Sequence, residues 1–77
     1  MPVILRVGPY RFFFYSNESN EPPHIHVRAV GSEAKFWLVP VNLAFNHGFS
    51  GPELNSVAKL IQEYQPIFLQ AWNDYFA

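Results

Sequence analysis

The run Glu21-Pro22-Pro23-His24-Ile25-His26-Val27-Arg28 sets two prolines in front of a segment whose side chains alternate in character. The prolines fix their own φ and hold the chain extended at the entry. From His24 onward a period of two sends His24, His26 and Arg28 to one side and Ile25, Val27 and Ala29 to the other. This is a β-strand with one polar and one apolar face, and the neighbouring segments are read outward from it.

Glu33 to Leu38 alternates in the same way, and Gly31-Ser32 before it has the glycine-first pattern of a two-residue hairpin turn. That turn predicts a register with Val30 opposite Glu33, Arg28 opposite Lys35, Val27 opposite Phe36 and His26 opposite Trp37. Ile25, Val27, Ala29, Ala34, Phe36 and Leu38 then form an apolar face that needs a cover. His24, His26, Arg28, Glu33, Lys35 and Trp37 form the opposite face. A slip of one residue would set the two kinds of face against each other.

Upstream, Val3 to Val7 is short and β-branched, and Gly8-Pro9 suits a type II′ turn into a second strand, Tyr10 to Tyr15. The implied pairs are Val7 with Tyr10, Arg6 with Arg11, Leu5 with Phe12 and Ile4 with Phe13. Aromatic side chains on both faces mark this strand as central, or one face as an interface. Ser16 to Pro23 holds no apolar side chain other than its prolines and is expected to be the most mobile stretch. Pro40 ends the fourth strand, and Val41 to Phe45 reads either as a fifth strand or as a helical turn.

Ser50 and Glu53 have the spacing of a capping box, and Phe49 and Leu54 that of a hydrophobic staple. Pro52 falls in the first turn, where no intrahelical bond is lost. Leu54, Val57, Ala58, Ile61, Tyr64, Phe68, Ala71, Trp72 and Tyr75 follow at helical spacing. Pro66 interrupts this stripe at a local cost of roughly 3 kcal/mol, and a kink is expected there because the stripe stays in phase across it. The predicted fold is α+β: an antiparallel sheet of four to five strands covered on one face by a kinked C-terminal helix, as a single domain over 1–77.

A chain of 77 residues buries only about 60% of its unfolded surface. The composition, 49% hydrophobic and 18% aromatic, compensates with large rings. The surplus implies an exposed aromatic patch, and with it a protein partner or self-association. The absence of cysteine excludes disulfides and thiolate metal sites. No cationic segment leads into an apolar signal core, and no apolar run approaches a membrane span, so a cytoplasmic protein without membrane contact is expected. A net charge of −1 gives no bulk electrostatic reason to bind nucleic acid, although Arg6, Arg11, Arg28 and Lys35 all lie in the first half. No glycine-rich phosphate loop or nucleotide fingerprint is present.

Several stretches carry a resemblance: Met1-Pro2-x-Ile4-Leu5-Arg6, Tyr10 to Glu18, Pro22-Pro23-His24-Ile25-His26-Val27, Ala34 to Leu38, and Asn46-x-Gly48-Phe49. Over nearly its whole length the chain resembles a small prokaryotic family of domains of unknown function, with the P-P-H-x-H-V element as the most specific part. The resemblance implies a toxin-like or partner-binding protein, since family members are often encoded beside another small protein in toxin–antitoxin-like pairs. It carries over no assigned chemistry. Pro66 departs from the uninterrupted acidic helix of the family, and His47 fills the variable place of the Asn-x-Gly stretch.

Three readings follow from the polar face. In the first, the protein acts on RNA: His24 and His26 exchange protons and Arg28 holds a phosphate, as the catalytic set. Lys35, Trp37, Arg6 and Arg11 would bind, Trp37 by stacking on a base. In the second, the protein is a non-enzymatic, antitoxin-like or structural partner that presents Phe68, Trp72, Tyr75 and Phe76 to a nearby-encoded protein or to a second copy. In the third, His24 and His26 ligate a metal ion with His47, Glu21 or Glu18 completing the set. The His-x-His spacing is too common to assign that site by itself, so no metal and no cofactor is assigned.

Overall fold

The computed structural model describes residues 3–76; Met1 and Pro2, where the resemblance begins, lie outside the described residues. Five strands, β1 (Val3–Val7), β2 (Tyr10–Phe13), β3 (His24–Ala29), β4 (Ser32–Leu38) and β5 (Val41–His47), precede one helix, α1 (Gly51–Tyr75). The strands form a single antiparallel sheet in the order β1-β2-β3-β4-β5. The α+β architecture therefore stands, and Val41 to Phe45 resolves as part of a fifth strand.

The first hairpin turns at Gly8, whose φ of 56° suits the leading turn position. Val7, Arg6 and Leu5 pair with Tyr10, Arg11 and Phe12 as expected, but Ile4 then bulges, so Val3 and not Ile4 stands opposite Phe13. The second hairpin differs more. Its turn is Val30-Gly31, with the positive φ of 76° at the second turn residue and the Val30 side chain in solvent. Arg28 consequently faces Glu33, His26 faces Lys35 and His24 faces Trp37, two residues away from the predicted register. A shift of two leaves every side chain on its own face, which is why the face assignment survives. β5 carries one extra residue, Ala44, between the Lys35–Phe45 and Phe36–Leu43 pairs.

Phe12, Phe14, Ile25, Val27, Ala34, Phe36 and Leu38 line the covered side of the sheet, against Val57, Ile61, Phe68 and Trp72 of α1. The Ser50 hydroxyl accepts from the Glu53 N–H at 3.2 Å and the Glu53 carboxylate accepts from the Ser50 N–H at 3.0 Å, completing the capping box. The helix runs unbroken through Pro66. That residue is exposed, while Ile61 and Phe68 on either side are fully buried, so packing on the sheet outweighs one missing backbone bond. Among the described residues, no helix is long and apolar enough to cross a membrane.

The path of α1 corrects the expected partner surface. Phe68 and Trp72 are buried in the core, with the Phe68 ring 5.2 Å from Phe12 and the Trp72 ring 5.2 Å from Phe14 and 4.7 Å from His24. The rings meant for a partner are spent on this chain's own sheet. Of that set, Tyr75 is exposed and Phe76 half-buried, 4.3 Å from Trp72.

Candidate functional site

The side of the sheet turned away from α1 is ordered in cross-strand rows. One row runs across all five strands: Arg6, Arg11, Arg28, Glu33, His47. The next contains Phe13, His26, Lys35 and Phe45. A third contains His24, Trp37 and Asn42. The sequence-predicted face is thus brought together, with neighbours that differ from those expected.

In the first row, Arg28 donates from Nε and Nη2 to Glu33 Oε1 at 3.1 and 2.7 Å. Tyr15 closes a triangle: its hydroxyl donates to Glu33 Oε2 at 3.1 Å and accepts from Arg28 Nη2 at 3.3 Å. The Arg28 guanidinium also lies 5.1 Å from the centre of the Phe13 ring. Its pKa is held above the ordinary value mainly by the bond to Glu33. Burial, then the Glu33 carboxylate, push the Tyr15 hydroxyl up. Arg6 and Arg11 are exposed, stand directly opposite each other, and have no ion pair among the described residues. They border a surface hollow of about 240 Å³ shared with Gly8, Pro9 and Tyr10. A second hollow of about 240 Å³ lies beside Arg28, Glu33 and His47.

The expected mobile stretch, Ser16 to Pro23, is instead tied to the sheet at both of its acidic residues. Glu21 pairs with Lys35, and the Lys35 ammonium sits 4.6 Å from the centre of the Trp37 ring. Glu18 reaches both histidines: its Oε1 lies 2.9 Å from His24 Nε2 and 2.9 Å from His26 Nε2. The same oxygen accepts from the Tyr15 N–H at 3.3 Å. Burial pushes the Glu18 carboxyl up, but the nearness of the His24 ring and the bond to His26 outweigh that and hold it below the usual carboxylate range. For His26, burial wins over the Glu18 carboxylate and lowers the pKa.

His24 is fully buried, packed by Trp37, Trp72 and the His26 ring. Its Nδ1 lies 2.9 Å from the Pro22 carbonyl oxygen, so Nδ1 carries the proton and donates it there. His26 is 6% exposed, stacked on Phe13 at 5.4 Å and met edge-on by Tyr15 at 4.5 Å. Of the three residues expected to be catalytic, only Arg28 is at the surface. Sequence reasoning missed Tyr15. Its signal was present, since Arg11, Phe13 and Tyr15 share one parity in a strand whose other parity is all apolar.

Residues 10–73 match the family described as a domain of unknown function, DUF4160, and the chain belongs to it. The match begins at Tyr10, so β1 with Arg6 falls outside it. No curated protein and no solved structure matches the chain.

Proposed function

For a member of a family whose description states no activity, we propose that the protein binds single-stranded RNA through the arginine row, as the toxin-like component of a two-protein module. The observation that carries this reading is the alignment of Arg6, Arg11 and Arg28 on three adjacent strands, with Glu33 as the one carboxylate paired with them among the described residues. Adjacent strands lie about 4.8 Å apart, so three guanidinium groups reach successive phosphates of a backbone laid across the sheet. Like charges held opposite without a counter-ion are destabilising, and a phosphate relieves that cost. Phe45, 54% exposed on the same side, offers a face on which a base stacks. The net charge of −1 does not oppose this, because Glu53, Glu63 and Asp74 sit on α1, across the molecule.

His24 and His26 enter this reading as residues that hold the 14–23 loop, while Arg28, held by Glu33, adds the third phosphate contact only as far as that pair opens. The counterpart protein, encoded nearby, would neutralise the same face with carboxylates. Fluorescence anisotropy with a labelled single-stranded oligoribonucleotide tests the proposal. Two to three phosphate contacts give a slope of log affinity against log salt of about −1.4 to −2.1. Replacing Arg6 and Arg11 together with Gln should flatten that slope by about 1.4 and abolish any growth arrest on expression. Affinity equal to wild type in the double variant would remove the basis of the proposal.

A further inference from the structure

We propose that Glu18, His24 and His26 form a binding site for one divalent first-row transition-metal ion. Their three ligand atoms lie within 4.8 Å of one another, and both imidazole Nε2 atoms stand 2.9 Å from the same carboxylate oxygen.

The protonation pattern of His24 carries the inference. Its Nδ1–H is committed to the Pro22 carbonyl, which leaves Nε2 as the atom facing Glu18. Nε2 is buried and makes no aligned hydrogen bond in spite of that short distance, because the ring does not point at the oxygen. A neutral imidazole would therefore hold a lone pair close to an oxyanion, with nothing between them. A cation placed where Nε2 points turns this repulsion into two bonds. The His24 Nδ1–H bond to a backbone carbonyl is also the outer contact that orients metal-bound histidines and fixes their tautomer.

The spacing selects the class of ion. Ligand atoms about 2.1 Å from a metal and 2.9 Å apart subtend about 90° there, the angle of an octahedral edge. Two imidazoles and one carboxylate suit Fe²⁺, Co²⁺, Ni²⁺ or Zn²⁺ more than Mg²⁺ or Ca²⁺. Phe13, Tyr15, Trp37 and Trp72 surround the two rings and restrict water. The ion pins the 14–23 loop to β3, and through Tyr15 it steadies the Arg28–Glu33 pair.

Titrating EDTA-treated, dialysed full-length protein with Co²⁺ tests the site. The expected result is one equivalent bound, ligand-field absorption bands that saturate at that point, displacement by Zn²⁺, and a rise in the unfolding temperature. Glu18→Gln and His26→Gln should each weaken binding at least about tenfold, with near-UV circular dichroism reporting whether each variant is folded. His47→Ala should leave the titration unchanged. No saturable binding of Co²⁺ or Zn²⁺ by wild type would overturn the proposal. So would loss of binding in His47→Ala, or unaltered binding in a folded Glu18→Gln.

Discussion

Arg28 stands directly opposite Glu33 across the β3–β4 hairpin, and the two are joined by a 2.7 Å charge-assisted bond that the Tyr15 hydroxyl buttresses from both sides. The pair occupies the middle of the arginine row and decides how much of its charge is available. It is partly exposed, with the Arg28 side chain 36% accessible, so solvent screening limits its contribution to stability to about 1 kcal/mol or less.

Glu33→Gln should therefore cost little stability and strengthen RNA binding, by releasing Arg28 to a phosphate. The salt slope should steepen by about 0.7. Urea denaturation and anisotropy, run on the same preparation, check the two halves, and weaker RNA binding in this variant would contradict the assignment of the row.

Trp72→Ala should strip the protein of a large share of its stability, not free a surface. The indole is 6% exposed and packs on Phe14, His24 and Phe76, and such truncations cost about 3–5 kcal/mol against a total of about 5–15 kcal/mol for typical domains. Tyr75→Ala, at an exposed position, should stay within about 0.5 kcal/mol of wild type. Far-UV circular dichroism against urea separates them.

Gly48 has a φ of 98°, and a β-carbon there would come within 2.7 Å of Ser32 Oγ and 2.8 Å of the Gly31 carbonyl oxygen. The end of β5 closes on the β3–β4 turn only because nothing projects from this residue. Gly48→Ala should destabilise by about 1–3 kcal/mol, read as a lower urea midpoint, whereas Gly51→Ala, with open space around it, should not.

Ser50→Ala should cost about 1 kcal/mol at neutral pH, and its penalty should shrink in acid. The Ser50 N–H, then the Ser50 hydroxyl, hold the Glu53 carboxyl below its ordinary value of 4.5. A carboxyl depressed on folding stabilises fully above its unfolded value, and the effect is lost as the pH falls through the folded one. The gap between thermal melts of wild type and variant should be narrower at pH 3 than at pH 7 without closing, because the Ser50 hydroxyl still accepts from the Glu53 N–H in acid.

The faces of β3 and β4 were legible because a period of two is insensitive to everything but parity. For the same reason their register was not. Pairing Arg28 with Lys35 or with Glu33 leaves the same side chains on each face, and only turn geometry at Val30-Gly31 and the preference for opposite charges separate the alternatives. The capping box of α1 was readable from two residues at fixed spacing, since that contact is local. Glu18 belongs to a loop without periodicity; where its carboxylate lands depends on the path of the chain between two strands. Phe68 and Trp72 lie on a stripe that describes a core and a partner surface equally well until the length of the unbroken helix is known.

Both outer strands carry a bulge, at Ile4 in β1 and at Ala44 in β5, while the two pairings that flank β3 run without interruption. A five-stranded open sheet presents two rows of unpaired backbone groups, each a template on which another chain can grow. A residue out of step in each row breaks the repeat that a sixth strand would have to match, and adds local twist. The irregular borders thus limit lateral growth, so that a chain rich in exposed apolar side chains such as Leu43 and Phe45 keeps its sheet finite.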